Sequence, residues 1–293
     1  MPLRKKATGK RKQKTRKHKS YKKHRGGQTP PPVSTFHFYN EFHYGDNILN
    51  LKFFYNISKI LKEKNIQIHY YYSYDYIKNK EELERYVDPA VVILHDISEK
   101  PENTIQLWMG KDFGDITRHD FETYYDLFYK DILVHLGLDK LSIDTSLYQK
   151  EDYLLNIYSQ LNPKFHNLDI LIINAEPKSG QWNNYDKTRM DAFCVKLSKQ
   201  YKIATTNFVN NDILCTYNET NNKNRLKIQD IGAISTHVKY IISIFSGPIC
   251  ACFNMATKTN VKKWFICTHE PYVINDKMAL INTMDDLERI TFE

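Results

Sequence analysis

The chain is predicted to be an α/β protein: two parallel-sheet domains facing one cleft, behind a disordered basic N-terminal arm. Short β-branched and aromatic runs alternate with helix-spaced apolar stripes in both halves, the pattern of βαβ units and hence of Rossmann-like domains. At 293 residues and 41% hydrophobic content there is enough material for one large or two ordinary cores, which excludes a wholly disordered protein. The charge is segregated as well. The formal net charge is +8, yet residues 1–27 hold 13 of the 42 Lys and Arg and no acid, leaving 29 basic against 34 acidic residues in the rest. The basicity therefore belongs to a tail, and a nucleic-acid or acidic-surface partner is indicated for residues 4–25 only.

Arg4 to Arg25 is almost all Lys, Arg, His, Gln and Thr, and Gly26-Gly27 and Pro30 to Pro32 form a short linker after it. Thr35 to Tyr39 reads as a strand. Gly45-Asp46 opens a helix striped by Ile48, Leu51, Phe54, Ile57, Ile60 and Leu61 at spacings of three and four. Ile66 to Tyr72 is a strand, Glu81 to Tyr86 a short helix and Val91 to His95 a buried strand. Phe121 to Leu136 and Leu147 to Leu161 read as amphipathic helices, the second ended by Pro163. Asp169 to Asn174 then begins a second alternation. It runs through helix Lys187 to Gln200, strand Lys202 to Asn207, helix Ile228 to His237, strand Tyr240 to Phe245, helix Ile249 to Thr257 and strand Lys263 to Cys267. The expected division is an arm at 1–32 and domains at 33–165 and 166–293, with no internal repeat that would make a solenoid.

Five cysteines at uneven spacing give no disulfide framework, and the basic N-terminus has no apolar stretch behind it. A cytoplasmic location is expected, with the nucleus or a virion as alternatives. Tyr240 to Ala256, the longest uncharged run, is broken by Gly247-Pro248, so no membrane span is expected.

In open parallel sheets, ligands bind beyond the carboxyl ends of the strands. Three loops occupy such places. Glu41 to Asn47 offers Gly45 for close backbone approach and Asp46, either a helix cap or a base. Glu176 to Trp182 offers Lys178, Ser179 and Gly180, either a phosphate loop or a solvated turn. Ser246-Gly247-Pro248 joins a buried strand to a helix, either cradling a phosphate or simply turning.

Taken together, three segments resemble the heptosyltransferase-like glycosyltransferases, of GT-B architecture. They are LKIQDIGAISTHVKYIISIFSGPICACFNM from Leu226 to Met255, ILIINAEPKSGQWNNYD from Ile170 to Asp186, and HYGDNILNL from His43 to Leu51, and they are spread across most of the body in the family's order. The resemblance implies a diphosphate of a nucleotide sugar near Ser246, Gly247, Pro248, Lys178, Ser179 and Gly180. It implies Asp46 as the base on an acceptor hydroxyl, helped by His43, with Tyr44 and Gly45 in the acceptor loop. Cys250 stands where the family has a histidine, and Phe245-Ser246 replaces its Asp or Thr before the glycine.

The implied activity is metal-independent transfer, without a cofactor, from a nucleotide-diphosphate sugar to a glycan or other hydroxyl acceptor. The alternative is a non-catalytic nucleic-acid-binding or packaging protein acting through the arm, with a degenerate sugar-binding body; an epimerase of the same architecture is a third reading. The arm and the Asn, Lys and Ile abundance resemble proteins of large DNA viruses. Asp112-Phe113-Gly114 and Arg118-His119-Asp120 stand in reverse of the kinase order, and Cys250-Ala251-Cys252 lacks zinc spacing. The 21 tyrosines are core or sugar-stacking surface.

Overall fold

The structure is a computed structural model that describes residues 32–108, 121–145, 151, 153–177, 180, 182–216, 226–269 and 276–292. The arm and the kinase-like motifs lie outside the described residues.

A first parallel sheet holds β1 (Ser34–Asn40), β2 (Ile66–Tyr72), β3 (Val92–Asp96) and β4 (Ile105–Gln106) in the order β3-β2-β1-β4. A second holds β5 (Ile170–Ile173), β6 (Ile203–Thr205), β7 (Leu214–Cys215), β8 (Tyr240–Ile244), β9 (Lys263–Cys267) and β10 (Met278–Ile281) in the order β10-β9-β8-β5-β6-β7, again all parallel. Read from β7 this is the doubly wound order in which the chain starts at the centre, runs to one edge, returns and runs to the other. The first sheet is the opening four strands of the same order. β5 and β8 are buried at every position, as parallel strands covered on both faces must be.

The helices are α1 (Tyr44–Asn56), α2 (Ser58–Glu63), α3 (Lys80–Glu84), α4 (Phe121–His135), α5 (Tyr153–Gln160), α6 (Lys187–Ser198), α7 (Ile228–Ser235), α8 (Met255–Asn260) and α9 (Met284–Glu288). The expected first helix is broken at Ile57 into α1 and α2, and α1 is not amphipathic. Every residue from Asn47 to Phe54 is buried, because α1 lies between the first sheet and the second half of the chain. The expected helix Ile249 to Thr257 is instead a 3-10 turn, Gly247–Cys252, followed by α8. Pro248 starts the tight turn, and Asn254 interrupts the ladder: its amide donates to the carbonyls of Ala251 and Cys252, while its oxygen accepts from the Thr257 N–H and caps α8.

The apolar core is continuous across the two sheets. One cluster joins Phe38, Phe54 and Ile68 of the first half to Leu171, Ile173, Ile241 and Ile266 on the near face of the second sheet, while Ile170, Ile172, Ile242 and Phe265 pack on the far face. Residues 33–293 accordingly form one compact unit. Polar contacts add to this. The N-terminal end of α7 is tied to α3 by Glu82 accepting from the Ile228 N–H at 2.9 Å, by Arg85 on Asp230 at 3.1 Å and by Lys227 on Glu81 at 3.0 Å.

Lys52, in the middle of α1, is wholly enclosed. Its ammonium donates to the carbonyls of Cys250 at 3.2 Å and Phe253 at 2.9 Å and sits 3.0 Å from the buried Glu151 carboxylate. Removing one member of such a group leaves the other charge buried alone. Lys52→Met is expected to lower the unfolding free energy by about 3–5 kcal/mol in urea titration, and Lys52→Met/Glu151→Leu to recover most of that loss. An unchanged midpoint in the single variant would remove the clamp from the account.

Candidate functional site

The strand orders place the topological switch points between β1 and β4 and between β5 and β8. The three loops singled out from sequence leave β1, β5 and β8, so each of them starts beside a switch point.

At the first, Asn40 closes β1 and holds both sides of the crevice. Its amide donates to the Leu107 carbonyl at 2.7 Å, beyond β4, and its oxygen accepts from the Phe42 N–H at 2.9 Å. Asn50 also donates to Leu107 O, at 3.1 Å, and to the buried Tyr70 hydroxyl, at 3.2 Å, and that hydroxyl donates to Asn47 at 2.9 Å. Asn47 in turn donates to the carbonyls of Phe42 and His43. This buried polar network fixes the loop in one place. Sequence reasoning passed over it; Asn47 and Asn50, one helical turn apart inside an apolar stripe, were its signal.

The helix cap is His43, not Asp46, and His43 makes no side-chain capping bond; Asp46 is the third residue of the first turn. His43 instead packs edge-on against Tyr76, ring centres 4.8 Å apart. Tyr44 is fixed through its hydroxyl, which accepts from the Asn79 N–H at 3.2 Å. Burial raises the Asp46 carboxyl above the usual aspartate range, against smaller opposing effects of its own backbone N–H and of His43.

The third loop meets the first. A Cβ on Gly45 would lie 3.0 Å from Cys250 Sγ and 3.3 Å from Gly247 Cα, and one on Gly247 would lie 3.2 Å from both Gly45 N and Tyr44 Cβ. Ser246 precedes the 3-10 turn without capping it, and its hydroxyl is buried with no hydrogen-bond partner among the described residues. Cys250 is buried and its thiol is pushed up, mainly by burial and then by the Asp46 charge. Pro248 begins the turn beside them.

The second loop is only partly in view. Lys178 and Ser179 lie outside the described residues. Gly180 has φ +67°, the left-handed region that favours glycine. Trp182 is buried core and donates from its indole to Asn282 O at 2.9 Å, and the Asn183 N–H donates to His269 at 3.0 Å. The contacts of this part of the loop therefore run to the ends of β9 and β10. Among the described residues no group of three or more His, Cys, Asp or Glu is placed to hold a metal ion, and no helix is long and apolar enough to cross a membrane.

Two parallel sheets in this strand order, with helices packed on them, make an α/β fold that matches that of GT-B glycosyltransferases. Among solved structures the chain is similar to E. coli heptosyltransferase WaaC with ADP-2-deoxy-2-fluoro heptose, at a TM-score of 0.51 and 8% identity, over 86% of this chain and 96% of that one. The glycosyl transferase family 9 protein from Veillonella parvula aligns at a TM-score of 0.45 and 16% identity, over 89% and 90%. At such identities the likeness to WaaC is one of fold. No protein-family model and no curated protein matches the chain in sequence.

Two outcomes are expected. Gly247→Ala forces the Gly45 and Gly247 turns apart and lowers stability by about 1–3 kcal/mol in urea unfolding; an unchanged midpoint would show that the turns give way freely. Asp46→Asn changes the pH dependence of stability. Between the ordinary aspartate range and the raised native value, the native protein keeps a proton that the unfolded chain has lost, so the parent loses stability as pH rises through that window. Melting curves from acid to neutral pH are expected to show the variant equal to the parent below the window and more stable above it; a constant difference would contradict the raised value.

Proposed function

We propose that the chain is a glycosyltransferase that moves a sugar from a nucleotide-diphosphate sugar to an acceptor hydroxyl. Residues 33–165 bind the acceptor, residues 166–293 bind the donor, and no metal or other cofactor takes part. The observation that carries this reading is the contact of the Gly45-Asp46 turn with the Ser246-Gly247 turn. It sets the turn that carries Asp46, whose pKa burial raises, against the turn that carries Ser246, whose buried hydroxyl has no partner within the described residues. The WaaC-like fold supports it.

Asp46 takes the proton of the acceptor hydroxyl as the acceptor oxygen bonds to the anomeric carbon. The bond from that carbon to the diphosphate breaks, and the nucleoside diphosphate leaves. A raised pKa makes the ionised carboxylate the stronger base at neutral pH. Ser246 and the backbone N–H of Gly247, with Lys178, Ser179 and Gly180 from the second loop, hold the diphosphate and the charge that develops on it, and Pro248, which has no N–H to donate, keeps the turn in place. His43, Tyr44 and Gly45 shape the acceptor side.

Thermal-shift titration of the full chain with ADP-, UDP- and GDP-sugars is expected to reveal a stabilising donor. Ser246→Ala weakens that donor about tenfold, the loss of one hydrogen bond to a charged group. Asp46→Asn binds it as the parent does but releases nucleoside diphosphate about 10²–10⁴ times more slowly with acceptor present. Unchanged turnover in that variant removes Asp46 from the role. Conversion of the donor without acceptor would favour an epimerase. A body indifferent to every nucleotide sugar, with salt-sensitive nucleic-acid binding lost on deleting residues 1–27, would favour the non-catalytic reading.

A further inference from the structure

The carboxyl edge of the first sheet carries aromatic rings that the proposed chemistry does not use. Tyr74 and Tyr76, in the turn after β2, are 55% and 57% exposed, unusual for large rings in the described body. Tyr76 meets His43, three residues before Asp46, and beyond β4 Trp108 packs on Phe42 with ring centres 4.5 Å apart. All of these rings leave the strand ends from which the Asp46 turn also leaves.

The charge of this edge is one-sided. The loops leaving β1, β2 and β3, residues 41–46, 73–79 and 96–104, contain Glu41, Asp46, Asp75, Asp96, Glu99 and Glu102 against Lys78 and Lys100. The Lys100 ammonium lies over the Tyr39 ring, 4.9 Å from its centre. An acceptor carrying phosphate, sulfate or carboxylate would approach an excess of like charge. A neutral sugar meets the opposite conditions: its C–H face is apolar and stacks on exposed rings, while its hydroxyls donate to carboxylates.

We propose that Tyr74 and Tyr76 form a stacking platform for a neutral saccharide acceptor, held with its hydroxyl toward Asp46. The assignment of the acceptor rests on the transferase reading, whereas the platform itself can be tested apart from it. The full chain, labelled and applied to a printed array of neutral and acidic glycans in about 0.3 M NaCl to screen the basic arm, is expected to bind neutral glycans. Tyr74→Ala and Tyr76→Ala each reduce that signal about tenfold or more while both variants keep a cooperative melt, Tyr76→Ala losing only its edge contact with His43, and Tyr76→Phe keeps the signal because stacking does not need the hydroxyl.

Binding confined to sialylated, sulfated or phosphorylated glycans, binding untouched by the alanine variants, or binding to no glycan overturns the platform. Nucleotide-sugar titration of the same proteins separates the two readings. A donor bound with the array silent leaves the transferase and removes the platform; neutral glycans bound through Tyr74 and Tyr76 with no donor leave the platform and remove the transferase.

Discussion

The geometry of the candidate site depends on a buried cation. The Lys52 ammonium is closed off from water between α1 and the end of the 3-10 turn, where it satisfies the carbonyls of Cys250 and Phe253 and pairs with Glu151. Desolvating an ammonium and a carboxylate costs several kcal/mol each, which such a pair recovers only when its geometry is good and its remaining bonds are made. An apolar contact can slide between α1 and the turn, but this arrangement holds in one register. It fixes where the first turn of α1 lies, and therefore where Gly45 and Asp46 stand against Gly247.

The close approach of backbones in that register explains the glycines. Gly45 and Gly247 face each other with no room for a Cβ, and in α7 a Cβ on Gly232 would fall 2.7 Å from the Ala251 carbonyl oxygen. The 3-10 turn is thus pressed from one side by α1 and from the other by α7. Two helices that are buried almost all round, α1 and α7, act as wedges between the sheets. With α3 tied to the start of α7 as well, the two switch points are joined by packing, by ion pairs and by a continuous core.

Much of this fold was legible in the sequence because parallel strands buried on both faces are written as plain apolar runs. Asp169 to Asn174 and Tyr240 to Phe245 needed no context to be read as strands, and Ile66 to Tyr72 begins with the period-two alternation of a strand half-buried on one face. β4 and β7, two residues each, and β10 on the sheet edge are too short or too mixed to show a period. Ile57 and Asn254, where expected helices break, carry no Pro or Gly to mark the break. The three loops could be placed at strand exits from Gly and Asp, or Ser-Gly-Pro, but these residues serve equally in caps and turns, and the contact of Gly45 with Gly247 could not be read from them. Lys52 was not, since a lysine among Leu51, Phe53 and Phe54 reads as a solvated position until the second half of the chain is brought against it.

The cysteine at position 250 changes the electrostatics of the neighbouring acid. A histidine there could carry positive charge and would draw the Asp46 carboxyl down toward its ordinary range. A thiol pushed up by burial stays neutral and offers no such compensation, so desolvation dominates at Asp46. The Lys52 ammonium, which could supply it, is already committed to Glu151 and to two carbonyls. The carboxyl therefore keeps a raised proton affinity, a cost to stability that the shared core offsets, and a partly desolvated carboxyl is what remains where the turn of the first half meets the second half.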